Sequence, residues 1–247
     1  TLFRSVINAR KPGGETINLP SGWTSIYSLV PSNGFTSQRA MYKVADSSDV
    51  AASDFTFTTT GAVDSSGMVA RISGYGNINT SSNTANDNTS TSPITTTTIT
   101  PNRDNCLFIL LAGGGQSGGA STPALSGYAL TTDNPSWTEQ FEITQANAYT
   151  FGLATATRSA QTATGTASIT LGTGPTNGDY VVGLIAIAPA VSGSFSAPAV
   201  LAYGYALTPI QSAKINAVAE SPSTNSMNVP NWINPDKPAT SWSNSNK

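Results

Sequence analysis

Tyr180-Val-Val-Gly-Leu-Ile-Ala-Ile187 is apolar or side-chain-free at every position, and Cys106-Leu-Phe-Ile-Leu-Leu111 shares that property. A strand turns successive side chains to opposite faces, so a run of this kind needs cover on both sides. Both runs therefore read as central strands. Working outward, shorter runs alternate apolar with polar: Phe55-Thr-Phe57-Thr, Met68-Val-Ala-Arg-Ile72 and Ala167-Ser-Ile169-Thr-Leu171. In Trp137-Thr-Glu-Gln-Phe141-Glu-Ile143 the same alternation places Trp137, Phe141 and Ile143 on one face. Period two with one apolar face is the mark of a half-buried antiparallel strand.

Turn residues punctuate these runs: Lys11-Pro-Gly-Gly14, Pro31-Ser-Asn-Gly34, Asn102-Arg-Asp-Asn105, Gly113-Gly-Gly-Gln-Ser-Gly-Gly119 and Gly172-Thr-Gly-Pro-Thr-Asn-Gly178. Helical periodicity is nearly absent. The expectation is an all-β fold, a jelly-roll-like antiparallel β-sandwich of two sheets over residues 1–189. Residues 190–247 form an extended C-terminal arm in this reading, linker first and anchoring tail after. Within the arm, Pro209 to Glu220 suits a short helix opened by proline or, nearly as well, a strand.

Composition narrows function by exclusion. Of 247 residues only 10% are charged, against about a quarter in ordinary domains. Lys plus Arg number 11 and Asp plus Glu 13, so no basic face for nucleic acid is expected. Histidine is absent, which removes the commonest general base and the imidazole metal ligand. The single cysteine, Cys106, sits in an apolar run and reads as a buried free thiol. Thr1-Leu-Phe-Arg-Ser5 lacks the basic and apolar regions of a secretion signal, and no run reaches about 18 apolar residues. The expectation is synthesis in a cytoplasm without membrane insertion. The many short hydroxyl and amide side chains suit a protein that works outside cells in assembled form.

Carboxylate pairs offer no catalytic reading. Glu139 and Glu142 are three apart, which on a regular strand sends them to opposite faces, whereas glycoside hydrolysis needs two in one cleft. Asp46 and Asp49 flank Ser47-Ser48 and read as turn residues. Asn86-Asp87-Asn88 brings one carboxylate, too few for a calcium cage. The glycine-rich 113–119 stretch lacks the Lys-Ser/Thr ending of a phosphate loop and reads as a turn or loop. No catalytic residue, metal or cofactor is expected.

Two segments are candidates for binding. Residues 77–92, rich in Asn, Thr and Ser, read as a long loop. Asn77, Asn79, Asn83, Asn86, Asp87 and Asn88 would contact a glycan receptor there, or simply be solvated. The second candidate is a repeat: Trp232-Ile-Asn234-Pro-Asp-Lys237, then Trp242-Ser-Asn244-Ser-Asn-Lys247. Its setting of Pro, Asn and Ser holds too little apolar surface to fold alone. Trp232 and Trp242 would fill pockets on a neighbouring protein, where such anchors are worth about 2 kcal/mol or more each. Asn234, Asn244, Lys237 and Lys247 would complete the contact. The alternative is a tail folded back on its own domain.

Taken in order, Gly22-Trp23-Thr-Ser-Ile26, Arg39-Ala-Met-Tyr-Lys-Val-Ala45, Phe55-Thr-Phe-Thr58 and Met68-Val-Ala-Arg-Ile-Ser-Gly74 resemble a β-sandwich module of tailed-bacteriophage structural proteins. Thr100-Pro101, the strand 106–111, Trp137, Gly152-Leu-Ala-Thr-Ala156, Thr164-Gly165-Thr-Ala-Ser168 and the strand 180–189 continue the likeness, which spans about residues 20–189. The Trp-x-Asn-x-x-Lys repeat also resembles C-terminal elements of phage head and tail proteins. The resemblance implies a non-enzymatic virion component: a capsid decoration, head fibre or tail-associated protein, docked on other virion proteins and homo-oligomeric, a trimer for instance. The alternative is a carbohydrate-binding receptor-recognition module of a tail fibre, with Tyr75, Tyr128 and Tyr149 as an aromatic platform. A polysaccharide-degrading enzyme ranks third.

Overall fold

The computed structural model describes residues 2–10, 15–32, 36–51, 54–72, 75–89, 92–116, 124–145, 149–172, 178–190 and 202–216. The strands among them are β1 (Leu2–Arg10), β2 (Thr24–Leu29), β3 (Thr36–Val44), β4 (Asp54–Ile72), β5 (Tyr75–Thr89), β6 (Ile94–Thr96) and β7 (Cys106–Gln116). After them come β8 (Leu125–Leu130), β9 (Thr138–Gln145), β10 (Tyr149–Arg158), β11 (Ala167–Leu171), β12 (Gly178–Pro189) and β13 (Ala202–Asn216). One short helix, α1 (Ser47–Ala51), joins β3 to β4. Every strand pairing is antiparallel.

Three sheets stack as layers. The first runs β13-β4-β1-β3-β2, the second β5-β12-β7-β10-β9 and the third β6-β11-β8. The second lies in the middle, and β7 with β12 forms its centre. Along β7, Leu107, Ile109 and Leu111 enter the core shared with the first sheet, beside Ala40, Met68, Ile72, Phe151 and Val181. The intervening Cys106, Phe108, Leu110 and Ala112 enter a second core with Ile94, Leu125, Leu130, Ile169 and Tyr180. The period-two geometry of a strand thus splits one apolar run between two cores. Removing each such side chain from water contributes about 1.5–3 kcal/mol. The sandwich expected from the sequence is present, with a third sheet laid on its second.

A smaller core covers the outer face of the first sheet. Ile17 bridges to Thr59, and Asn18 N–H donates to the Thr58 carbonyl at 2.8 Å, so the segment before β2 lies along β4. Ile17, Trp23, Met41, Phe57 and Val69 close over one another there. Trp23 meets Phe55 and Phe57 edge-on at 5.6 and 5.3 Å, the favoured aromatic arrangement.

Four expectations are corrected. Residues 90–91 lie outside the described residues, and the expected loop at 77–92 is a strand as far as residue 89: Tyr75–Thr89 is β5, paired along β12 from Pro189 to Gly178. Its backbone ladder substitutes for the apolar side chains whose absence suggested a loop. Gly113 to Gly115 are not a turn: they continue β7 opposite β10 and β12. A Cβ on Gly114 would collide with the Tyr180 ring, so glycine is required by packing there. Trp137 leaves the face of Phe141 and Ile143. It precedes β9 and packs on the second core, while Phe141 and Ile143 join the first. A register shift between Leu153 and Ala154, opposite Phe141 and Glu139, offsets the two ends of the segment. Lastly, residue 189 does not end the sheets, because β13 returns to pair with β4. Of the two readings of Pro209 to Glu220, the strand is found, as far as Asn216.

Two substitutions test the doubly covered sheet by urea denaturation. Leu110→Ala is expected to cost about 2–5 kcal/mol of stability. Gly183→Ala is expected to cost about 1–3 kcal/mol, because its new Cβ would overlap the Tyr27 hydroxyl and ring. Wild-type midpoints for both would contradict the packing described.

Candidate interaction surface

The tail residues Trp232, Asn234, Lys237, Trp242, Asn244 and Lys247 lie outside the described residues. The six receptor candidates fall on β5. Asn77 is exposed, and Asn79 and Asn83 are half-buried. Asn86, Asp87 and Asn88 occupy the far end of the same strand, and their side chains are outside the described set. The six are therefore spread along an extended strand instead of gathered in a loop.

The polar side chains of β5 make specific bonds. The Asn79 side-chain carbonyl accepts from Asn102 N–H at 3.0 Å, and its amide donates to the Asn102 side chain. This exchange ties the middle sheet to the turn before β7. Ser82 Oγ donates to the Thr97 carbonyl at 2.7 Å, and Thr84 Oγ1 to Thr96 Oγ1 at 3.1 Å. Those bonds dock β5 on β6 in the third layer. On the other side β5 touches β2 of the first layer. The edge strands β2, β5 and β6 therefore form one rim of the stack, with β5 between its neighbours. Among the described residues, no strand pairs with the outer edge of β5.

The carboxylates elsewhere hold structure together. Asp46 caps α1: its Oδ1 accepts from Ser48 N–H at 2.8 Å, Asp49 N–H at 3.0 Å and the Ser48 hydroxyl at 2.5 Å. Asp49 returns the bond to Asp46 N–H at 3.0 Å, completing a reciprocal cap, and meets Lys43 Nζ at 2.6 Å. The Ser48 hydroxyl bond, foremost, holds the Asp46 carboxyl below the usual range. The sequence reading of a turn missed that Asp46-Ser-Ser-Asp49 starts a helix.

Arg158, almost fully buried, meets Asp133 at 3.0 Å and donates to the Thr162 and Ala163 carbonyls at 2.7 and 3.3 Å. It clamps the connection after β10 to the one after β8. Nothing in the local sequence marks this arginine.

Glu139 and Glu142 do not act on opposite sides as their spacing suggested. Burial first, then both carboxylates, push the Tyr128 hydroxyl well up. Glu142 Oε1 also accepts from Leu125 N–H at 2.8 Å and from Thr144 Oγ1 at 3.2 Å. The register shift in β9 is what defeats the simple alternation rule. The Tyr128 hydroxyl is buried and the residue as a whole is half-buried against the second core. The side chains of Tyr75 and Tyr149 lie outside the described set.

Cys106 is buried, as its apolar run implied. Its Sγ donates to the Arg103 carbonyl at 3.2 Å. Burial, with a smaller contribution from Asp104, pushes the thiol from 9.0 up to about 11. A raised value in the folded state means the native protein keeps its proton when the unfolded chain has lost it. That stabilisation is complete below 9.0 and is lost as pH rises toward about 11. Thermal melts should accordingly show a falling midpoint across that interval, and Cys106→Ala should flatten part of the fall. Tyr27 and Tyr128, also pushed up, should sustain the remaining slope in that variant. An identical slope with and without the thiol would refute the assignment.

Comparison with protein-family models, with curated proteins and with solved structures finds no match for this chain.

Proposed function

We propose that this protein is a non-enzymatic structural component of a bacteriophage virion: a capsid decoration, head fibre or tail-associated protein. In this reading the stacked sheets face outward and the chain beyond β13 anchors them to other virion proteins. The observation that carries the reading is the repeated Trp-x-Asn-x-x-Lys at 232–237 and 242–247. It lies past the last described strand, which ends at Asn216. Two tryptophans in a segment of this composition suit a docking peptide: each ring buries a large area and keeps an N–H donor for the partner. Ordering such a segment costs affinity, and two anchors on a many-copy particle offset that cost through multivalency.

Four of the described carboxylates, Asp46, Asp49, Asp133 and Glu142, hold backbone or basic groups in place, as a structural role would have them do. A sparsely charged chain, with charged residues only 10% of its length and many hydroxyl and amide side chains, fits a particle exterior. Homo-oligomerisation belongs to the same proposal.

Deleting residues 221–247 is expected to abolish incorporation into particles while leaving the β-sheet circular dichroism signal unchanged. Trp232→Ala with Trp242→Ala is expected to reduce occupancy by tenfold or more, at about 2 kcal/mol per anchor. Occupancy is read by quantitative gel analysis of purified particles. Full occupancy of either variant would defeat the anchoring role. Cleavage of capsule or cell-wall polysaccharide by the purified protein would defeat the non-enzymatic one.

A further inference from the structure

We infer that the outer edge of β5 is a strand-pairing surface for the β5 of a second copy of this chain. The inference concerns only the oligomer within the proposed function and stands whether or not the protein belongs to a virion. Exposed strand edges invite pairing, and proteins usually guard them with short strands, lysine, proline, charges or bulges. The other edges here are guarded in these ways. β2 has six residues and a register shift between Ser25 and Tyr27. β6 has three residues. β8 has six, with a register shift opposite it in β11. β9 carries Glu139 and Glu142 beside its shift. β13 carries Pro209 and Lys214 and two shifts against β4.

β5 differs from all of them. It is 15 residues long and contains no Lys, Arg or Pro. Its irregularities lie toward its ends, leaving Thr80 to Asn86 in unbroken register with β12 from Ala186 to Tyr180. That regular run, Thr80-Ser-Ser-Asn-Thr-Ala-Asn86, has no ionisable group and no glycine.

The run also complements itself. Turned antiparallel about Asn83, it sets Thr80 against Asn86, Ser81 against Ala85, Ser82 against Thr84 and Asn83 against Asn83. No like charges meet, and every pair carries a hydroxyl or amide able to donate and accept. Asp87, the one carboxylate of the strand, would face Asn79. A two-fold axis of this kind requires self-complementarity, which a run chosen for a foreign strand has no reason to possess. Joining the two copies would extend the middle sheet across the axis and satisfy the edge N–H and C=O groups of both. The oligomer inferred here is a dimer.

The test uses the full chain and a charge swap on the axis. Wild type is expected to sediment as a dimer in analytical ultracentrifugation. Asn83→Lys alone and Asn83→Asp alone each oppose like charges across the axis, and each is expected to associate at least about tenfold more weakly. An equimolar mixture of the two is expected to recover the dimer as a heterodimer. A monomeric wild type, unweakened variants, or a mixture that stays monomeric would each overturn the inference. Should the variants fail to fold, hydrogen exchange on wild type decides: β5 amides gain protection with rising concentration if the edge pairs, and concentration-independent exchange overturns it. Particle occupancy plays no part in these readings, so the anchoring proposal succeeds or fails separately.

Discussion

The antiparallel pairing of β7 with β12 is the constraint on which the rest of the structure depends. Over residues 106–112 and 180–187 the two strands are apolar and buried on both faces, so their ladder there has no wet side. Water cannot compete for its hydrogen bonds, and an unsatisfied group there would carry a desolvation cost of several kcal/mol. The sheet around this ladder must therefore be roofed twice. The first layer supplies Met68, Ala70 and Ile72 on one side; the third supplies Ile94, Leu130 and Ile169 on the other. A two-layer sandwich would have left Phe108, Leu110, Val182 and Leu184 facing solvent. The small third sheet exists to cover them.

Close approach between these layers is set by where side chains are missing as much as by where they are present. Gly183 leaves room for the Tyr27 hydroxyl, which donates to Gln38 Oε1 at 2.6 Å inside the core between the first two layers. Gly114 leaves room for the Tyr180 ring in the second core. Each glycine forgoes side-chain burial in the strand it occupies and in return admits a large ring from a neighbour. The buried Tyr27–Gln38 bond joins β2 to β3 within the first layer, where a slip of one strand by one residue would leave both groups unpaired.

The same architecture separates two kinds of surface. The interior strands pack their apolar side chains into the two cores. The rim of β2, β5 and β6 is uncharged from Thr80 to Asn86 of β5, with hydroxyls and amides bonded inward to Thr96, Thr97 and Asn102. Those inward bonds hold the edge strand against its neighbours, and Thr80 to Asn86 keeps unbroken register with β12. The repeat beyond β13 is the complementary feature: little apolar mass of its own, two large rings, and a particle as the proposed recipient. The proposed attachment through the tail would leave the rim available for the proposed contact between copies.

Local pattern was enough for the all-β class, for the two doubly covered strands, for the inward faces of β4 and β11, and for the buried Cys106, because each follows from residues next to one another and from the two-residue period of a strand. It was not enough for β5, whose Asn, Ser and Thr resemble a loop until β12 supplies a partner for its backbone. Gly113 to Gly115 resemble a turn until the Tyr180 ring is placed over them. Glu139 and Glu142 fail the alternation rule because a register shift against β10 intervenes. In each of these cases the deciding group lies far away in sequence, so only the assembled layers determine the outcome. Amino-acid order by itself determined which strands need cover; the tertiary structure alone decided what covers them and which edge is left open, since backbone pairing between distant strands leaves no trace in local composition.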